Sequence, residues 1–194
     1  MKLYYSATSP FVRKVLLSAH EKGFYESIEF LSEGGVGRDN PLAKVPALVV
    51  SEREVIIDSF VICDYFESFQ PNPTLIPTDS CRRNHVLRLH ALGDGIMESA
   101  VASVMEGRRP KDKQWQDFHS AQHAKINNAL VAIESQVHNF VEMVDLGTLT
   151  VAAALGYLDL RFSDWDWSAR CPELAGWYAR FCDRPSMRAT RPTG

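Results

Sequence analysis

The chain has 194 residues, 45% of them apolar, with 21 basic against 24 acidic residues and a formal charge of −3 at pH 7. That length admits one domain or two small ones with a real core. The dispersed, nearly balanced charge excludes a nucleic-acid footprint, and no run approaches the roughly 18 apolar residues of a membrane span.

Met1-Lys2 passes directly into an apolar strand-like run without a signal-peptide layout, so the chain reads as soluble and cytoplasmic. Lys2 to Tyr5 is the first predicted strand. Pro10 to Lys22 follows as a helix, with Phe11, Val12, Val15, Leu16 and Ala19 on one face and Gly23 at its end. Ile28 to Leu31 reads as a strand, and the glycines of Glu33–Arg38 mark a loop. Ala47 to Val50 and Val55 to Ile57 flank Ser51-Glu52-Arg53-Glu54 as a hairpin. Ser59 to Phe69 reads as helix, with Cys63, Phe66 and Phe69 inward. The order β-α-β, then β-β-α, implies a small mixed sheet with helices.

Pro71, Asn72, Pro73 and Pro77 make residues 70 to 78 a linker, tacked down by Leu75 and Ile76. Beyond it the periodicity is helical: Ser80 to Glu106, Lys113 to Val144, Leu146 to Phe162 and Pro172 to Cys182. Asp145 is placed to cap the third of these. Because the order is Asp-x-x-Thr, the reciprocal bond from Thr148 is not expected. The domain boundary falls at residues 75/76. The four cysteines, Cys63, Cys81, Cys171 and Cys182, show no metal-ligand spacing and no Cys-x-x-Cys, which predicts buried reduced thiols and no metal site.

Three short segments carry the functional signal. Ser9-Pro10-Phe11-Val12-Arg13-Lys14-Val15 puts a hydroxyl at a helix start, where it is an N-cap on the bland reading and a donor to a bound thiolate on the other. Asn40-Pro41-Leu42-Ala43-Lys44-Val45-Pro46-Ala47-Leu48 sets a proline before a strand. Asp58-Ser59 opens a second helix, whose amides and hydroxyl suit a carboxylate. Tyr5, ending the first strand, is a rival hydroxyl, and Ser6 and Thr8 are further ones.

The β-α-β-β-β-α unit, proline linker and helical remainder, with these segments, Gly93-Asp94-Gly95-Ile96-Met97 and Gly156-Tyr157-Leu158, resemble the glutathione S-transferase family. The Ser-Pro-Phe-Val-Arg-Lys-Val run looks like the bacterial serine-type, tau- and theta-like members. The resemblance spans the chain. It implies α/β plus all-α architecture: a thioredoxin-like domain over residues 1–75, then an all-helical domain over 76–194. It implies conjugation of the glutathione thiolate to small hydrophobic electrophiles, or a non-catalytic glutathione-binding or ligand-carrier role as the alternative. Ser9 would stabilise the thiolate. A cis Val45-Pro46 would pair the cysteinyl backbone, Lys44 would meet the glycyl carboxylate, and Asp58 and Ser59 would take the γ-glutamyl group. A homodimer without nucleic-acid or membrane partners is expected. A glutathione-dependent reductase would need a cysteine near Ser9, and the zeta-class isomerases carry Ser-Ser-Cys where this chain has Ser6-Ala7-Thr8-Ser9. For the electrophile pocket, Met97, Val101 and Met105 share one helix face, with Trp115 and Phe118 as further candidates.

Overall fold

Strand β1 (Lys2–Tyr5) is the centre of a sheet because its apolar residues can be covered on both sides: Leu3 is fully buried on one face and Tyr4 nearly so on the other. The computed structural model describes residues 1–70, 72–140 and 144–192. The first part runs β1, α1 (Pro10–Glu21), β2 (Glu29–Ser32), β3 (Ala47–Ser51), β4 (Glu54–Ile56) and α2 (Ser59–Phe69). The sheet order is β2-β1-β3-β4; β2 is parallel to β1, and the other pairings are antiparallel. Leu3 and Leu48 of the sheet meet Val12, Val15 and Leu16 of α1 and Ile62, Cys63 and Phe66 of α2, so both helices lie on one face. On the other face Tyr4 and Ala47 pack with Val36 of a 3₁₀ segment (Glu33–Arg38). This is the thioredoxin-like sheet domain that the resemblance implies, followed by a helical region.

The helical part comprises α3 (Ser80–Gly107), α4 (Gln116–Glu134), α5 (Leu146–Arg161), α6 (Pro172–Phe181) and α7 (Pro185–Ala189). Helix α5 is buried without interruption from Leu146 to Leu158, as a helix apolar all round must be. A glycine on each helix admits the close approach of α3 and α5: a Cβ on Gly93 of α3 would lie 3.0 Å from the Thr150 backbone, and one on Gly147 of α5 would lie 2.8 Å from the Val86 carbonyl. Leu89, Ile96, Met97, Ile126 and Leu130 complete this core. The linker is fixed by one carboxylate, Glu67, whose Oε1 accepts from Leu75 N at 2.7 Å, from Ile76 N at 3.2 Å and from buried Lys22 Nζ at 2.8 Å.

Several expectations are corrected. The helix expected over 113–144 is shorter: α4 ends at Glu134 and a 3₁₀ turn covers Val137–Asn139, while residues 141–143 lie outside the described ones. Ser135 Oγ and Gln136 Nε2 both donate to the Ala132 carbonyl, so side chains occupy the acceptor that the ladder would need. Helix α7 was not anticipated. Phe69 is 56% exposed: it is the last residue of α2, and its ring packs beside Phe24 and Tyr65 at the helix end with its remainder in solvent. Of the four free cysteines, Cys63 and Cys171 are buried, whereas Cys81 is exposed in the first turn of α3 and Cys182 is half-buried. The Asp145–Thr148 capping box is complete: Thr148 N donates to Asp145 Oδ1 at 2.9 Å and Asp145 N donates to Thr148 Oγ1 at 3.1 Å. The threonine hydroxyl thus serves as the return acceptor that the Asp-x-x-Thr order did not lead one to expect. Among the described residues no helix is long and apolar enough to cross a membrane.

Candidate functional site

The strand register brings the three signal segments to one end of the sheet. Tyr4 pairs with Ala47 across β1 and β3, which puts Pro46 beside Tyr5 and the loop leading to Ser9. Ile56 pairs with Leu48 across β3 and β4, so β4 ends at that same edge and Asp58-Ser59 follow two residues later. β2 runs parallel to β1 and contributes Ser32, the partner of Tyr5, to the same end.

Ser9 is the N-cap of α1, with Pro10 as the first helical residue, and its Oγ accepts from Val12 N at 3.3 Å. The cap uses the hydroxyl as acceptor and leaves its proton for another acceptor. A cap of this kind and donation to a ligand would therefore draw on opposite ends of one group. Tyr5 is half-buried, with its ring 5.1 Å from that of Phe30 in a tilted pair. Tyr5, Ser6, Ala7 and Thr8 face an open cavity of about 540 Å³ bounded by Phe30 to Glu33.

The loop before β3 is shaped by Asn40, which is 2% exposed. Its Nδ2 donates to the Lys44 carbonyl at 2.7 Å and its Oδ1 accepts from Leu42 N at 2.9 Å. This clamp spans Ala43, which has a φ of 50°. The motif carried Asn40, but only the structure gives it this task. The Val45–Pro46 peptide is cis, Pro46 is buried, and the Lys44 side chain stands in solvent just before it.

Asp58, not Ser59, caps α2: its Oδ1 accepts from Phe60 N at 2.7 Å. Ser59 is the first helical residue and is 2% exposed, and its Oγ has no hydrogen-bond partner among the described residues. A buried hydroxyl without a partner is costly, and at a helix N-terminus it belongs with the amides and dipole that attract anions.

Residues 8–68 match the family model for the glutathione S-transferase N-terminal domain. Over nearly its full length the chain is 36% identical to the uncharacterized GST-like protein YibF of Escherichia coli (strain K12), covering 99% of this chain and 98% of YibF. The chain belongs to the glutathione S-transferase family. A glutathione transferase family member from Pseudomonas fluorescens Pf-5, crystallised with bound glutathione, superposes with a TM-score of 0.96 at 36% identity, over 100% of this chain and 99% of that one. The same transferase with bound S-(propanoic acid)-glutathione gives 0.92 at 37% identity, covering 99% of each chain.

The transferase motifs beyond the sheet also find their places. Lys14, fully buried on α1, pairs with Asp94 Oδ1 at 2.7 Å and lies 3.1 Å from His90 Nε2. Asp94 is thus the polar anchor between α1 and α3. Burial, then the neighbouring Lys14 charge, lowers the His90 imidazole to about 4. Gly156 lies against the guanidinium of Arg13, which a Cβ there would strike. Of the expected electrophile-pocket residues, Met97 is fully buried core, Val101 and Phe118 are half-buried, and Met105 and Trp115 are 51% and 63% exposed.

Proposed function

We propose that this protein is a glutathione transferase of the serine type, tau- or theta-like, joining the glutathione thiolate to small hydrophobic electrophiles. The observation that carries the reading is the buried, partnerless Ser59 hydroxyl at the head of α2, at the same sheet end as Ser9 and Pro46. The γ-glutamyl carboxylate would accept from Ser59 and the α2 amides, with the ammonium on Asp58. The Val45 backbone would pair with the cysteinyl unit as an added strand, and Lys44 would meet the glycyl carboxylate. The structures of the Pseudomonas fluorescens relative with glutathione and its propanoic acid conjugate support glutathione as the co-substrate.

In this reading Ser9 donates its free proton to the glutathione sulfur. A thiol of reference pKa near 8.5 is only a few per cent ionised at neutral pH, and a donor aimed at the sulfur at a helix N-terminus raises that fraction. The thiol proton leaves to solvent, the sulfur lone pair forms the new S–C bond, and the leaving group departs with its bonding pair. Holding both reactants in place supplies the rest. The proposal includes a glutathione-binding domain over residues 1–75, a helical domain over 76–194, a homodimer, a cytoplasmic location and a role in detoxification.

The test compares wild type with Ser9→Ala in glutathione calorimetry and in conjugation of 1-chloro-2,4-dinitrobenzene. Loss of one hydrogen bond to a charged sulfur should cut the rate about 10- to 100-fold, with glutathione affinity nearly retained. An undiminished rate moves the donor to Tyr5. Binding without turnover leaves the non-catalytic carrier role, and absent binding refutes the site.

A further inference from the structure

A cavity of about 520 Å³ opens between α1, α5, α6 and α7, lined among others by Arg13, Gly156, Asp159, Tyr178, Cys182 and Arg191. Its volume lies within the range of small-molecule sites. Arg13 reaches it from α1 and is 7% exposed. Its guanidinium is under-used for so buried a cation. Nη2 makes one long bond to the Met187 carbonyl at 3.5 Å and touches Met187 Sδ at 3.9 Å, while Nε has no partner among the described residues. Asp159 shares the cavity and its charge attracts Arg13, but its Oδ1 accepts from the Trp167 indole N–H at 2.8 Å and no hydrogen bond joins its carboxylate to the guanidinium among the described residues. A buried guanidinium this poorly engaged calls for an anion, and a planar carboxylate matches its fork.

The position of Arg13 gives that anion a context. Arg13 and Arg191 also wall a second, smaller pocket whose other side is Ser6, Ala7, Ser9 and Val12. Ser9 and Arg13 are four residues apart on α1, which is about 6 Å along the axis. The cavity thus meets the proposed reaction centre through two cationic side chains. Leu160 and Met187 supply apolar wall.

We infer that this cavity is a carboxylate subsite for the electrophilic co-substrate, with Arg13 and Arg191 as the specificity-determining cations. The inference rests on the transferase reading for its occupant. It narrows the substrate class to electrophiles bearing an acid group on the side away from the reacting carbon.

The test uses 4-chloro-3,5-dinitrobenzoate and its methyl ester, which share one leaving group and differ in the charge. Glutathione conjugation is followed for both. Direct binding of each to the glutathione-free protein, where neither can react, is measured by calorimetry. Wild type should favour the benzoate by about tenfold in KM and in affinity, the worth of one charge-assisted hydrogen bond. Arg191→Gln, in the exposed tail, and Arg13→Lys, which keeps the buried charge but loses the planar fork, should each shrink that preference several-fold. Equal affinity for ester and benzoate, or a preference untouched by both variants, overturns the inference while leaving the transferase reading intact. Binding preference without conjugation of either compound upholds the cation subsite and refutes the transferase reading.

Discussion

Lys14 Nζ lies 2.7 Å from Asp94 Oδ1 with the lysine side chain wholly removed from solvent, so one buried ion pair joins α1 to α3. Removing the carboxylate strands a cation in the interior. Asp94→Ala is expected to cost about 3 kcal/mol or more, because the uncompensated charge is the larger part of the penalty. The paired replacement Lys14→Met with Asp94→Leu is expected to retain more stability than Asp94→Ala alone. Urea unfolding of the three variants checks the order.

His90 gives the fold a pH dependence of known sign. Burial and Lys14 hold its folded pKa near 4, against an ordinary value of 6.5. Between those values the unfolded chain binds more protons than the folded one, so stability rises with pH through that window and is complete above it. His90 contributes a slope of up to about 1.4 kcal/mol per pH unit. Denaturant titrations between pH 4.5 and 7.5 should show a steeper slope for wild type than for His90→Asn; identical slopes would refute the assignment.

The complete capping box predicts that Asp145→Ala lowers stability by about 1–2 kcal/mol. Thr148→Val should lose less, since it keeps the Thr148 N–H bond to Asp145 Oδ1 and removes the return acceptor for Asp145 N–H together with the hydroxyl's own bond to the Asp145 carbonyl. An unchanged melting temperature for Asp145→Ala would contradict the geometry.

Two helical glycines should respond to alanine in opposite directions. A Cβ on Gly95 meets nothing within 4 Å, so Gly95→Ala should stabilise by about 0.5–1 kcal/mol through helix propensity. At Gly147 the new methyl meets the Val86 carbonyl at 2.8 Å and Leu89 Cβ at 3.0 Å, and backbone cannot swing aside. Gly147→Ala should cost about 1–3 kcal/mol by overpacking. Thermal unfolding of both variants decides it.

The thiols should label in order of access. Cys81 is exposed, whereas Cys63 is buried, shares a 3.3 Å contact with Ser18 Oγ, and is pushed up to about 11 by burial. In native protein an aromatic disulfide reagent should modify Cys81 in the fast phase and Cys63 only on unfolding. Rapid loss of Cys63 in peptide mapping would show that α1 and α2 separate readily.

What the sequence made legible was local. The bounds of α2 were readable because Asp58 precedes an apolar run and the caps are encoded within a few residues. The hairpin was readable for the same reason, whereas the cis Val45–Pro46 bond followed from the family resemblance alone, since a proline before a strand is usually trans. The partners that define the Arg13 cavity were not: Gly156 and Met187 meet Arg13 from 143 and 174 residues away, and no spacing rule spans that gap. Asp94 stood in a motif, but its 80-residue reach to Lys14 turns on how α1 lies on α3. Pocket residues failed for a related reason, since a helical stripe such as Met97, Val101 and Met105 states which side faces a neighbour but not whether the neighbour is packed against it.

Helix α1 belongs to both halves of the molecule. It begins at Ser9, sends Lys14 into α3 and Arg13 against α5, and ends on Glu21, whose carboxylate receives Arg184 Nη2 at 2.9 Å and Ser186 Oγ at 2.5 Å. A chimera that grafted residues 1–75 onto another relative's helices would import two buried cations and an acid with no assurance of Asp94, Gly156 or Arg184 to receive them. Recombination between such proteins is therefore constrained far from the junction itself, and the residues that must travel together are the ones that α1 touches.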